Sequence, residues 1–131
     1  MKRESIRPLF RVAALYDIVL GLVYGLGSRT IYKLFAITPP NHDAYVQLPA
    51  ALILIFGIGF WFVAQAPERN RDIIRLGVMM KLAFSIIVFG HLLLGAIPTM
   101  WVPFAVIDLL FMISFVMALR VLPKPAANNL S

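Results

Sequence analysis

The sequence predicts an all-α polytopic membrane protein, an antiparallel bundle of four transmembrane helices with a short amphipathic segment on its outer face. Three observations carry this reading. Of 131 residues, 61% are hydrophobic and 14% charged, and the mean hydropathy of +0.88 is more than a soluble fold of this size can hide. The apolar residues gather into four runs, each near the roughly 20 residues a helix needs to cross about 30 Å of hydrocarbon. The Lys and Arg residues fall around these runs rather than on one polar face. The net charge of +6 therefore reads as a topology signal and not as a nucleic-acid surface. Cysteine is absent, which removes dithiol chemistry, iron–sulfur clusters and thiolate zinc sites.

The first run spans residues 9–26, behind Lys2, Arg3 and Arg7. A basic start before an apolar run resembles a signal peptide, but Asp17 interrupts the run and no small-x-small cleavage site precedes Ser28. The run is therefore expected to be the first span of the mature chain. Beyond it, Ile31, Leu34 and Phe35 recur at helical spacing beside Lys33, which predicts a short interfacial helix ending near Thr38, before Pro39-Pro40. Asn41-His42-Asp43 follows and reads as a turn and helix cap in preference to a metal site. Residues 46–65 form the second run, with Gln47, Ala50, Ala51, Leu54 and Ile58 on one face and Gly57 and Gly59 marking close contact or a kink. A polar turn at residues 66–72 offers Asn70 or Asp72 as the cap of the third run, residues 73–97. A second short turn carries Pro98, Trp101 and Pro103 into the fourth run, residues 102–122, and residues 123–131 read as a flexible cytoplasmic tail. Short loops make neighbouring spans antiparallel. Nine basic residues (Lys2, Arg3, Arg7, Arg11, Arg69, Arg71, Arg75, Arg120, Lys124) fall on one side and only Arg29 and Lys33 on the other. Both termini are thus expected in the cytoplasm, most simply of a bacterial cytoplasmic membrane.

Three ionisable residues, Asp17, Lys81 and Asp108, lie inside these apolar runs, where a lone charge costs at least about 2.5 kcal/mol and so faces a partner. Asp17 lies six residues beyond Arg11, and Lys81 six beyond Arg75. Both therefore stand about 9 Å above the cytoplasmic edge and are expected to form an intramembrane ion pair. Small residues recur every fourth position in each span, Ala13, Asp17, Gly21 and Gly25 against Gly77, Lys81 and Ser85, so the two ridges are expected to pack on one another. Measured back from Arg120, Asp108 stands about 18 Å up, level with Tyr24 and without a basic neighbour. With His91 and Gln47 slightly higher, it is the expected ligand or proton site. Asp108 shares its stripe with Phe104, Phe111, Met112 and Phe115, an aromatic wall.

No nucleophile elbow, P-loop, dinucleotide fingerprint or HExxH pair is present. The order of features does resemble a known family. A basic amino terminus, a first span with a polar residue and glycines, an outer amphipathic segment ending in prolines, and a Gly-containing second span resemble the DoxX-like superfamily of small four-helix membrane proteins. The similar EXPERA group places intramembrane carboxylates against a lipophilic cavity. The resemblance covers about residues 8–122, and the acidic residue of its second span is replaced here by Gln47 and the stretch Ala50 to Ile58. It implies a bundle with an internal pocket that binds a lipophilic molecule, a lipid or a quinone, or that serves as an accessory subunit of a membrane complex or a homo-oligomer. No enzymatic activity, metal or dedicated cofactor is expected. The alternatives are a small proton-coupled transporter and an EXPERA-type isomerase in which Asp108 and His91 shuttle a proton.

Overall fold

The computed structural model describes residues 1–124 and contains no strand among them. The expected tail falls almost wholly at 125–131, outside the described residues. After a single 3-10 turn at Arg3–Ser5, the chain forms four helices: α1 (Ile6–Leu34), α2 (Ala44–Gln65), α3 (Arg71–Leu93) and α4 (Trp101–Val121). All four are long and apolar enough to cross a membrane, which points to a membrane protein. Their outward faces carry Leu15, Leu52, Ile86 and Leu110, each more than half exposed, a surface suited to hydrocarbon rather than water.

The helix ends differ from the sequence expectations where local capping chemistry intervenes. No separate interfacial helix exists, because α1 continues through it after a kink at Gly27, where φ is −122° and ψ 16°. The helix stops at Leu34 rather than Thr38. Ala36 takes a left-handed φ of 52°, and the Ile37 and Ala36 amides donate to the carbonyls of Tyr32 (2.8 Å) and Lys33 (3.3 Å), a Schellman closure. The same device ends α3 at Leu93, four residues before the expected Ile97. Gly95 has φ 69°, and the amides of Ala96 and Gly95 donate to His91 and Leu92, each at 3.0 Å. Asn70 does not cap α3 with its side chain. Its amide donates instead to the carbonyls of Phe62 (3.0 Å) and Ala66 (2.9 Å) at the end of α2. The N-cap of α2 is Asp43, which makes no side-chain cap bond and takes two bonds from Arg29 instead, while Nδ1 of the preceding His42 accepts from the Ala44 amide at 3.1 Å.

Two glycines set the closest approach of backbone to backbone in the bundle. A Cβ at Gly21 would lie 2.7 Å from the Ala50 carbonyl oxygen, and one at Gly57 2.8 Å from the Ile18 backbone nitrogen. The ridge of α1 is thus packed on α2, not on α3 as the matched spacing suggested, and α1 and α3 do not pack side by side. A Cβ at Gly77 would meet the ring of Phe60 at 2.6 Å and that of Phe115 at 3.2 Å, so the start of the α3 ridge faces α2 and α4. The buried face of α2 is Ala50, Gly57, Phe60, Val63 and Ala64, and Gln47, Ala51 and Ile58 are exposed.

One half of the bundle is filled and the other is not. The filled half joins the start of α1, the end of α2, the start of α3 and the end of α4 around Phe10, Phe60 and Phe115, all fully buried. Phe10 stacks on Phe115 with centroids 4.5 Å apart, and Phe60 meets Phe115 edge-on at 5.0 Å. Arg71 fastens this end by donating to the carbonyls of Leu119 (3.2 Å), Leu122 (3.0 Å) and Pro123 (3.2 Å) at the end of α4, whose last carbonyls have no helical partner. The other half encloses a cavity.

Candidate binding cavity and its charged floor

The cavity has a volume of about 480 Å³ and draws its lining from all four helices. Its floor is a buried charged cluster. Lys81 Nζ donates to Asp17 Oδ1 at 2.7 Å and to Oδ2 at 3.0 Å, and the same nitrogen lies 2.9 Å from Asp108 Oδ1. The second contact is misaligned: Asp108 Oδ1 has no hydrogen-bond partner although it is buried. The contact to Asp108 is thus one of charge. The side chains of Asp17 and Lys81 are each 1% exposed and that of Asp108 9%.

Asp108 was expected to stand alone, a full tier above Lys81, and it does not. Arg75 and Arg120 do not stand at one level. Arg71, not Arg75, meets the end of α4. Lys81 lies ten residues beyond Arg71 and Asp108 eleven before Leu119, about 15 and 16 Å from that shared level. Asp17 belongs to the same tier, since Asp17 and Asp108 each lie seven residues from the stacked pair Phe10 and Phe115. Tyr24, in turn, is not beside Asp108 but seven residues past Asp17, where it stacks on Trp101 at 5.2 Å, itself seven residues before Asp108.

Lys81 reaches this position because the groups around it suit an ammonium. Its nitrogen stands 5.3 Å from the ring centroid of Tyr16, 5.5 Å from Phe111 and 5.8 Å from Phe60, each an attractive arrangement for a cation. One turn further, Ser85 Oγ donates to the Lys81 carbonyl (2.9 Å) and to that of Ala105 (3.3 Å), tying α3 to α4. The Tyr16 hydroxyl is buried without a partner, and Tyr16 also lines the cavity. The floor therefore holds two carboxylates, one ammonium, and an unpaired phenol.

Above the floor the walls are apolar and aromatic. Tyr24, Trp101 and Phe104 close the side between α1 and α4, with Tyr24 stacked on Trp101 and edge-on to Phe104 at 6.3 Å. The side between α2 and α3 is open. These helices touch where Gly59 faces Ile73 and Gly77 faces Phe60, below the cavity. Higher up, Leu52 and Ile87 line the cavity while being 51% and 58% exposed on the outer surface. Tyr45 at the start of α2 also lines the cavity and is 68% exposed, so the lining reaches the surface both on the apolar flank of α2 and α3 and at the outer end of α2.

Of the six residues singled out in the sequence, Asp17, Lys81, Asp108 and Tyr24 all line this cavity. Gln47 and His91 are exposed and do not. The α2 positions that line the cavity are Tyr45, Val46, Pro49, Ala50, Leu52, Ile53 and Phe56, and Gln47 is rotated about 100° from Val46. His91 is one turn beyond Ile87, which already stands at the rim. Tyr16, Leu20, Tyr32, Met80 and Phe84 also line it. Tyr16 sits off the small-residue ridge, and the heptad spacing of Asp17 to Tyr24 and Trp101 to Asp108 was the available signal for Trp101. The chain matches no protein-family model, no curated protein and no solved structure.

Proposed function

We propose that the chain is a DoxX-like integral membrane protein that holds a lipophilic small molecule, a lipid or quinone, in this cavity. It acts without chemistry of its own, as a binding protein or as the ligand-bearing subunit of a membrane complex. The observation that carries the reading is the apolar, aromatic cavity above the Asp17–Lys81–Asp108 floor, with Leu52 and Ile87 of its lining exposed on the apolar flank. A molecule arriving from hydrocarbon enters tail and head together, and the only charged groups it meets lie at the end of the path. Pockets of this size, apolar with a few convergent polar groups, are the usual form of a small-molecule site.

An antiparallel arrangement in the bacterial cytoplasmic membrane, with both termini cytoplasmic, completes this reading. It is supported by the paired levels of α1 and α2, Gly21 against Ala50 and Phe10 near Phe60, and by the nine basic residues at one end. The isomerase alternative loses support, since His91 does not line the cavity with Asp108. Purification from native membrane in a mild detergent tests the proposal. A lipophile extracted at about one per chain is the expected result. A stoichiometric partner protein with no extractable lipophile would replace ligand binding by a purely structural subunit role.

A further inference from the structure

The floor of the cavity is unbalanced in charge. Two carboxylates, Asp17 and Asp108, face the single ammonium of Lys81. The remaining ionisable groups of the lining are all tyrosines: Tyr16, Tyr24 and Tyr32 from α1 and Tyr45 from α2, while α3 contributes Lys81 and α4 Asp108. No second cation lines the cavity among the described residues. One negative charge is therefore left over whenever all three groups are ionised. A buried charge without compensation is costly enough that the site takes up something positive.

The geometry identifies where. Lys81 gives its two aligned hydrogen bonds to Asp17 and is enclosed by three aromatic faces, so that pair is complete. Asp108 Oδ1 has the Lys81 ammonium 2.9 Å away but no aligned hydrogen bond, and the Tyr16 hydroxyl has no hydrogen-bond partner. The wall rising from Asp108 is the aromatic group Tyr24, Trp101 and Phe104, whose faces attract cations as carboxylates do.

We propose that the floor is an exchange site, holding either one proton or the head of a lipophilic monovalent organic cation seated at Asp108 beneath that wall. The inference rests on the lipophile-binding reading and adds the charge of the ligand and its coupling to a proton. In the empty site the proton resides on the Asp108 carboxyl, and the floor is neutral. When the cation arrives the O–H bond breaks, the proton leaves to water, and the cation takes its place against the carboxylate, so the floor is neutral again. Asp17 and Lys81 keep their pairing in both states.

The test uses the purified full chain in an uncharged detergent with tetraphenylphosphonium, a permanent cation that carries no proton, and triphenylphosphine oxide, a neutral molecule of similar body. Calorimetric titration in buffers of different ionisation enthalpy is expected to show about one proton released per cation bound. Affinity should rise about tenfold per pH unit across the range in which the empty site is protonated. Asp108→Asn should lose at least about tenfold of the cation affinity together with the proton release. Should that variant fail to fold, the wild-type proton count and pH dependence decide alone. Cation binding without proton release, or neutral and cationic probes binding equally well, overturns the exchange site and leaves the lipophile-binding reading standing. If neither probe binds, both fall.

Discussion

Because Lys81 serves two carboxylates with one ammonium, removing it and removing Asp17 are unequal changes. Asp17→Asn leaves Lys81 against Asp108, whereas Lys81→Met leaves two carboxylates facing each other in a buried site. Lys81→Met should therefore cost about 3–5 kcal/mol, the usual penalty for orphaning a buried charge, and Asp17→Asn less. The double variant should recover part of the loss, with a coupling of at least about 1 kcal/mol in a mutant cycle read by unfolding in detergent. Additive effects would mean that the pair does not fix the bundle. At the outer end, the Arg29 guanidinium donates to Asp43 at 3.0 and 2.7 Å and holds its carboxyl below the ordinary value of 3.8. A carboxyl depressed by folding contributes stability above its unfolded pKa, and that contribution is lost as pH falls through the folded value. The tether between α1 and α2 should therefore weaken only below about pH 4. The step is small because the pair is exposed. The thermal midpoint of Asp43→Asn should fall less than that of the wild type between pH 6 and 3.

Among the elements, the glycines divide into those that admit another backbone and those that do not. Gly21→Ala forces a methyl to within 2.7 Å of the Ala50 carbonyl oxygen and should cost about 1–3 kcal/mol through overpacking. Gly90→Ala, with nothing within 4 Å, should be neutral or stabilise α3 by up to about 1 kcal/mol through helix propensity. Thermal unfolding of the two variants checks the contrast. The same elements show what could be read from the residues alone. The four helices were legible because hydrocarbon length and apolar run length coincide. Their ends were not, since each is decided by one residue: Ala36 or Gly95 in the left-handed region, or Asn70 capping the helix before it rather than the one after. Gly95 two residues past the last helical position was a readable stop signal. The left-handed Ala36 carried none.

For the molecule as a whole, the presence of charges in the spans was plain in the sequence, and their grouping was only half so. Depth along a span is legible only from a residue whose own level is known, and it is Arg71, not Arg75, that meets the end of α4 and sets Lys81 level with Asp108. The cavity itself was not legible, because it arises from α2 and α3 touching at Gly77–Phe60 and parting beyond it, a relation between helices that no single span records. The central claim is that this opening admits a lipophile down to the charged floor. Ile53 lines the cavity on α2, and a larger side chain there should fill part of it while leaving Asp17, Lys81 and Asp108 themselves unaltered. The most direct measurement is native mass spectrometry of wild type and Ile53→Trp purified in parallel from the same membranes. The account predicts a bound lipophile of about one per chain on the wild type and little or none on the variant, with helix content unchanged. Equal occupancy of the two proteins, or none on the wild type, would contradict it.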